Sequence, residues 1–144
     1  MLDTSHIGLE LEPFDVEVEK GALVRFATAL GETNPIYSNE DAARQAGFRS
    51  VVAMPTVPVV WGTRDALTWE MVRKMGVDPG KILHGSQRYV AHSAVCAGDR
   101  LRGLKRVTSI YQKKALGFID TVTEYRDDAG TLVVEDFCTF VVRP

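Results

Sequence analysis

The segment Phe26–Pro58 reads FATALGETNPIYSNEDAARQAGFRSVVAMPTVP and carries the strongest backbone signals in the chain. A helical apolar pattern ends at Gly31, and Glu32-Thr33-Asn34-Pro35 then breaks the backbone. Polar side chains on a turn between two buried segments are typical of a functional loop. We therefore expect a site here. A helix-ending Asn34-Pro35 and a half-buried packing role for Tyr37 would account for the same residues without any function.

Length and composition restrict the class of protein. With 144 residues the chain has room for one domain, which we place at 1–144. A net charge of -2 with 25% charged residues argues against a nucleic-acid surface. Residues 1–10 lack a basic and then apolar leader, and no apolar run reaches the roughly 18 residues of a membrane span. Two cysteines, Cys96 and Cys138, favour a reducing compartment. These features predict a soluble cytoplasmic protein with no membrane or nucleic-acid partner.

The residues before the loop predict a strand followed by a helix. Phe14, Val16 and Val18 alternate with acidic residues, which indicates a short strand at a sheet edge. From Lys20 onward the apolar residues follow a helical period that Gly31 closes. Their stripe consists of Leu23, Phe26, Ala27 and Leu30. A second, short helix is predicted over Asp41–Ala46, with Gly47 as its stop.

After the loop, the pattern predicts one long helix from about Pro58 to Met75, because proline is tolerated in a first helical turn. Its first half, Val57–Trp61, is apolar on nearly every side, so we expect a sheet to surround it. Leu67, Met71 and Met75 should continue one buried face.

The remainder of the chain predicts consecutive strands. Their ranges are Ile82–His92, Asp99–Gln112, Leu116–Tyr125 and Thr131–Val142, with a hairpin turn at Asp127-Asp128-Ala129-Gly130. The last strand should be central, because its alternate residues are apolar except for Asp136. The fold class is therefore α+β, with a curved antiparallel β-sheet wrapped around a long central helix.

Several kinds of chemistry lack their sequence signals. No glycine-rich nucleotide motif and no GxSxG turn occurs, and His84 and His92 would lie about 26 Å apart on one strand. We therefore predict no cofactor and no metal. Cys96 is a weak candidate nucleophile, because nothing in the sequence supplies a base for it. A basic cluster follows it and reads as a solvated strand face, with phosphate binding as the alternative. It consists of Arg100, Arg102, Lys105, Arg106, Lys113 and Lys114.

A resemblance extends over most of the chain. The matching segments are Ala29–Tyr37 (ALGETNPIY), Ala42–Phe48 (AARQAGF), Val52–Thr56 (VAMPT), Leu83-His84-Gly85, Ala97-Gly98-Asp99 and Phe140–Arg143 (FVVR). Together they resemble the MaoC-like, or (R)-specific enoyl-thioester hydratase, family. The resemblance implies a hotdog fold that forms dimers or double hotdogs. It also implies an acyl tunnel near the dimer seam, into which the pantetheine of coenzyme A or acyl carrier protein (ACP) leads.

The same resemblance shows where this chain departs from the catalytic pattern. Catalytic members carry an Asp and a His that share one water, as paired acid and base. This chain has Glu32 and Tyr37 at those positions, so these are its candidate, degenerate catalytic residues. Tyrosine, with an ordinary pKa near 10, is a poor replacement for histidine. Met54-Pro55 stands where catalytic members have His-Gly, and proline has no amide hydrogen for the thioester oxygen.

The remaining pattern resembles the FAS1-like, N-terminal dehydratase branch of the family. We therefore predict a subunit of a 2-enoyl-thioester hydratase or 3-hydroxyacyl-thioester dehydratase that provides the substrate-binding half, as a homodimer or as a heterodimer with a catalytic hotdog subunit. The candidate substrate-binding residues are Asn34, Pro35, Met54, Thr56 and Trp61, with Val52–Pro58 at the tunnel mouth. Two alternatives stay open: a homodimeric acyl-CoA thioesterase with Glu32 as base, and a non-catalytic acyl-thioester binding protein.

Overall fold

The computed structural model describes residues 2–61 and 66–144, with side chains for 2–61 and 69–144. Its α-helices are α1 (Lys20–Ala29), α2 (Glu40–Gln45), α3 (Pro58–Trp61) and α4 (Ala66–Lys74). Its strands are β1 (Phe14–Glu17), β2 (Ile82–Ala91), β3 (Arg100–Lys113), β4 (Leu116–Asp127) and β5 (Leu132–Val142). Short 3-10 helices cover Thr4–His6, Pro35–Tyr37 and Pro79–Lys81. The predicted α+β class is confirmed, and every predicted strand is present within about two residues of its expected bounds.

The strands form one five-stranded antiparallel sheet in the order β1-β3-β4-β5-β2. β1 lies at an edge, as its short alternating pattern predicts. β5 pairs with β4 on one side and β2 on the other, so it is interior, although β4 occupies the middle position. Alternate β5 residues from Val134 to Val142 are buried, and Asp136 is buried with them. The period of two in the sequence therefore places Asp136 on the core face.

The two early helices end where glycines permit positive φ. Gly31 follows α1 with φ +69°, and Gly47 follows α2 with φ +93°. Asn39 begins α2, since its side chain accepts a hydrogen bond from the amide of Ala42 at 2.9 Å. Leu30, the last residue of the predicted apolar stripe, is 58% exposed because it already lies beyond the helix.

Two apolar clusters fill the core on one face of the sheet. In the first, Met71 and Met75 of α4 pack among sheet residues that include Ile119 and Phe140. In the second, Val57 and α3 pack near Tyr125, together with β1 and α1. The predicted burial of Met71 and Met75 is confirmed, whereas the side chain of Leu67 lies outside the described residues. These contacts place the second helical region against the sheet.

The front of the predicted long helix differs from expectation. Val57 and Pro58 are buried, but Val59 is 39% and Val60 48% exposed, so the expected enclosure of this helix on every side is wrong. An apolar helix sequence predicts that the side chains are buried, but it does not show whether the same chain or another chain covers them. The expected continuity between α3 and α4 falls on residues 62–65, which lie outside the described residues.

The two outer edges of the sheet differ. At the β3 edge, the N-terminal segment 8–11 exchanges backbone hydrogen bonds with Lys105 and Val107, and β1 covers the adjoining part of β3. Strand β2 forms the other edge, and no segment among residues 2–61 and 66–144 pairs with its outer side. Within those same ranges, no helix has the length and apolar character to cross a bilayer.

The basic cluster divides between the two faces of the sheet. Arg100, Arg102 and Arg106 lie on the solvent side and form ion pairs with Glu17, Asp15 and Glu10, respectively. Lys105 is only 7% exposed, so the expectation of a solvated face is wrong at this position. Lys105 is in phase with Leu101 and Val107, and the alternation of the strand decides its burial.

Candidate functional site

The 3-10 helix that carries Tyr37 is built by side-chain hydrogen bonds to the backbone. The Asn34 carboxamide accepts a hydrogen bond from the amide of Ile36 at 3.2 Å and so caps the turn in front of Pro35. The Glu32 carboxylate accepts one from the amide of Asn34 at 2.8 Å. The polar residues of this motif therefore shape the loop.

Backbone bonds then fix this turn to the segment that follows β2. The amide of Val52 donates to the carbonyl of Ile36 at 3.1 Å, and the amide of Ala53 donates to the carbonyl of Val95 at 2.8 Å. The amide of Ala97 returns a bond to the carbonyl of Val51 at 2.8 Å. Tyr37 is thereby held by a continuous hydrogen-bonded frame that reaches from the loop to the sheet.

A pocket of about 340 Å³ lies between this frame and the end of β2. Its lining residues are Tyr37, Val52, Ala53, Met54, Pro55, Pro58, Trp61, Ala91, His92, Ser93, Ala94, Val95 and Val134. The lining is mostly apolar, with a few polar groups from Tyr37, His92 and Ser93. Its volume falls at the low end of the range of small-molecule sites.

Aromatic packing supports the Trp61 wall of the pocket. The ring of Trp61 meets that of Tyr125 edge to face, with centroids 5.4 Å apart, and Phe14 packs on Tyr125 from another side at 5.9 Å. Tyr125 is completely buried, and its hydroxyl has no hydrogen-bond partner among the described residues. Burial, with smaller effects from the Asp136 and Tyr89 charges, raises the pKa of Tyr125, so this phenol stays protonated.

A polar row crosses the buried face of the sheet. Lys105 and Asp136 are both more than nine-tenths buried, and the Gln87 amide donates a hydrogen bond to Asp136. Burial raises the pKa of Asp136 to about 6, while Lys105, Gln87 and His84 act in the opposite direction. Burial lowers the pKa of Lys105. Neither group lines the pocket.

A hydrogen bond between a histidine and a carboxylate lies beside the pocket. His92 lines the pocket, and its Nε2 lies 2.8 Å from a carboxylate oxygen of Glu135. An ionised carboxylate only accepts hydrogen bonds, so Nε2 is the donor and carries the proton. In the neutral ring, Nδ1 then keeps its lone pair. Glu135 therefore orients the imidazole of His92, and strand alternation places the Glu135 side chain on the face of the sheet opposite Val134, which lines the pocket.

The structure brings three of the predicted site residues together. Tyr37, Met54 and Trp61 all line the pocket, as does most of Val52–Pro58. The others do not line it. Glu32 and Asn34 build the loop, Pro35 occupies its first turn, and Thr56 is exposed at the surface. Their assignments to catalysis and substrate binding remain predictions.

Sequence reasoning missed His92 and Ser93 as pocket residues. The sequence pattern raises His92 only as a possible metal ligand, together with His84 on the same strand. The contact with Glu135 crosses 43 positions of the chain, so spacing does not reveal it. Cys96 is buried in the tight turn before β3, where its amide donates to Asp99 at 2.9 Å, and both cysteines are free thiols.

The antiparallel sheet, the helix packed on one face and the pocket beneath the loop define a hotdog domain. A family model for the FAS1-like dehydratase domain region matches residues 5–136. The chain belongs to this MaoC-like hotdog family, and the predicted family and fold are confirmed.

Three comparisons illustrate the relationship. A UPF0336 protein of Streptomyces avermitilis is 32% identical over 143 residues, or 99% of this chain and 95% of the relative. The crystal structure of the C-terminally truncated HadBC (3R-hydroxyacyl-ACP dehydratase) complex from Mycobacterium tuberculosis matches with a TM-score of 0.84 at 26% identity, covering 96% of this chain and 99% of that chain. The ChsH1-ChsH2 complex from the same organism shares the fold, with a TM-score of 0.77 at 18% identity and coverage of 94% and 84%.

Proposed function

We propose that this chain is the substrate-binding half of a 2-enoyl-thioester hydratase or 3-hydroxyacyl-thioester dehydratase, and that a second hotdog subunit supplies the catalytic Asp and His. The pocket beneath the loop takes the acyl thioester, carried by coenzyme A or ACP. The observation that carries the proposal is the hydrogen bond between Glu32 and the amide of Asn34, because it holds the carboxylate in the loop, outside the pocket lining. A pocket that can hold an acyl group but lacks the catalytic Asp and His is what we expect of a substrate-binding subunit.

The neighbouring positions support the same reading. The family's histidine position holds Tyr37, and a phenol is a poorer general acid and base than an imidazole near neutral pH. Pro55 lines the pocket and has no amide hydrogen to stabilise a thioester oxygen. Losing one such donor ordinarily costs 10²–10³ in rate.

The edge formed by β2 is the surface we assign to the partner. Unpaired edge strands are templates for strand pairing with another chain, and β2 extends over ten residues. Exposed apolar side chains occur at Leu83 on this strand and at Val59 and Val60 on α3, whose ends line the same pocket as the end of β2. A second hotdog domain docked along β2 would cover these residues and border the pocket.

The first experiment compares the activity of the chain alone with that of the two-subunit complex. The purified chain alone, and the chain co-expressed with a MaoC-type subunit that carries the catalytic Asp and His, are assayed for hydration of a short 2-enoyl-CoA. We expect hydration by the complex and at least 10²-fold less by the chain alone. Rapid hydration by the chain alone would contradict the proposal, as would a failure of the two subunits to associate.

The partner surface has its own test. Val60→Glu places a charge on the exposed side of α3 and should abolish the complex in light scattering while leaving the chain folded. Leu116→Glu, at a residue 38% exposed at the start of β4, is the matched control and should assemble normally. Equal loss of assembly in both variants would count against this surface.

A further inference from the structure

We infer that the hydroxyl of Tyr125 binds an oxygen atom carried on the acyl chain of the ligand, away from its thioester end. The ligand class is an acyl thioester with a hydroxyl or carbonyl group on the chain. This role deepens the proposed function and rests on its premise that the pocket beneath the loop takes acyl thioesters. It concerns which acyl groups are bound, whereas the proposed function concerns the reaction that the complex carries out.

The Tyr125 hydroxyl is a buried polar group without a hydrogen bond. The residue is 0% exposed, and its hydroxyl is the one buried side-chain polar atom that lacks a partner in the described part of the chain. Buried polar groups are nearly always paired, because an unpaired one destabilises the fold. Phenylalanine would fill the same space without that loss. A tyrosine at this position is therefore accounted for by a hydrogen-bonding partner on a ligand.

The strand register places Tyr125 next to the floor of the pocket. Val134 of β5 is the Cα partner of Tyr125, and it is also the Cα partner of Ala91 on β2. Val134 and Ala91 both line the pocket. Directly paired residues point to the same face of a sheet, with their Cβ atoms about 5 Å apart. Tyr125 therefore continues the row formed by Ala91 and Val134 onto β4, on the face where the pocket lies.

The surroundings of Tyr125 place its hydroxyl on the pocket side of this row. On the β3 side, the ring of Phe14 packs directly over Gly103, the Cα partner of Tyr125, and fills the space there. Burial raises the pKa of Tyr125 most, and the charges of Asp136 on β5 and Tyr89 on β2 add to that effect. β5 and β2 are the two strands that contribute the floor of the pocket. The hydroxyl therefore lies toward them and away from β3.

Trp61 stands between the pocket and the phenol. Its indole lines the pocket and meets the Tyr125 ring edge to face, with centroids 5.4 Å apart. Trp61 is half-buried, and side chains move between discrete staggered rotamers. A change of rotamer at Trp61 would open the phenol to an acyl chain that lies along Val134 and Ala91. The Tyr125 hydroxyl would then donate its hydrogen bond to an oxygen on that chain.

The phenol and its neighbours define the chemistry of the ligand. Because the pKa of Tyr125 is raised, its hydroxyl keeps the proton and acts as a donor. Apolar side chains of the second core cluster, among them Val57 and Val134, surround it. An oxygen on an otherwise apolar chain suits this environment, whereas a methylene at the same point leaves the donor unpaired. Sites with a buried donor discriminate strongly against analogues that lack the acceptor.

The test compares two series of acyl-CoA esters, unsubstituted and hydroxylated at the chain end, each of short, medium and long chain. Calorimetric titration of the purified full chain gives the two Kd values at each length, and their ratio isolates the hydroxyl from the rest of the ligand. Tyr125→Phe should raise the Kd of the hydroxylated ester, relative to the unsubstituted one, by about ten-fold at the length that reaches the phenol. Urea unfolding should show the unliganded variant at least as stable as the wild type, because the substitution removes an unpaired buried group.

Tyr111→Phe is the matched control, because it removes a hydroxyl from a tyrosine that stacks on Phe118 and does not line the pocket. Its Kd ratio should equal that of the wild type. Esters with a ketone near the chain end should respond to Tyr125→Phe as the hydroxylated esters do, because the ketone oxygen also accepts. Equal ratios in wild type and Tyr125→Phe at every length, with the unsubstituted esters still bound, would overturn the inference and leave the proposed function standing. Failure of every unsubstituted ester to bind would instead remove the premise that the two share.

Discussion

The Arg49 guanidinium donates two hydrogen bonds, 2.6 and 2.8 Å long, to the two carboxylate oxygens of Asp99. Asp99 also accepts the amide of Cys96 at 2.9 Å. This paired contact ties the start of the pocket loop to the turn that leads into β3, across 50 positions of the chain. Paired contacts of this kind are both stronger and more directional than single ones.

Replacing the Asp99 carboxylate should loosen this attachment. Burial disfavours its charge, but the bonds from Arg49 and Cys96 outweigh burial and hold the pKa of Asp99 below its ordinary value. The stabilisation is therefore present above the unfolded-state pKa and is lost as pH falls through the folded-state pKa. Asp99→Asn should cost about 1–3 kcal/mol of unfolding free energy at pH 7, measured in urea. Asp128→Asn, at an exposed turn residue, should change stability little, and equal effects would contradict the assignment.

The role of Glu32 can be separated into loop building and catalysis. Glu32→Gln keeps an oxygen that accepts from the amide of Asn34, so stability and hydration by the two-subunit complex should both stay near wild type. Glu32→Ala removes the acceptor and should cost about 1 kcal/mol, as loss of a cap does. Thermal unfolding and the hydration assay measure the two effects. Loss of activity in Glu32→Gln with stability intact would restore Glu32 as a base.

Trp61 should limit the length of the bound acyl chain, because it lines the pocket in front of Tyr125. Trp61→Ala should therefore favour longer chains, by about 0.8 kcal/mol for each additional buried CH₂. Calorimetric titration with a series of saturated acyl-CoA esters measures the shift. Trp69→Ala removes the other tryptophan, which is 44% exposed on α4, and should leave the preference unchanged. An unaltered preference in Trp61→Ala would place the end of the acyl chain elsewhere.

Asp136 should make stability fall as pH rises from about 4 to 6. Its folded-state pKa of about 6, raised by burial, exceeds the ordinary value, so the folded chain binds the proton more tightly in this window. Its contribution is present below the unfolded-state pKa and is lost as pH rises through 6. Asp136→Asn removes this dependence. The unfolding free energy of the variant minus that of the wild type should therefore increase across the window, by about 3 kcal/mol at most. Urea unfolding at several pH values measures this stability difference, with Asp128→Asn as the control variant. A difference between Asp136→Asn and wild type that does not change with pH would contradict the prediction.

The regular elements could be predicted from the sequence because strand and helix periods are local properties. Tyr37, Met54 and Trp61 could be placed in one pocket through the family resemblance. The charge of Lys105 predicts a solvated side chain, whereas its phase with Leu101 places it on the buried face of the sheet. The exposure of Val60 follows from packing between elements. The contact between His92 and Glu135 follows from strand register, which one sequence does not display.

The unequal edges of the sheet also govern how large an assembly can grow. Because residues 8–11 and β1 occupy the β3 side, addition of a strand is directed to β2, and a partner docked there consumes the available template. Two such domains joined through their β2 edges would leave the four-residue edge of β1 as the exposed strand edge among the described residues, in place of the ten-residue edge of β2. A short edge gives a further copy few backbone groups to pair with, so strand addition at β2 would favour a closed pair over an extended filament.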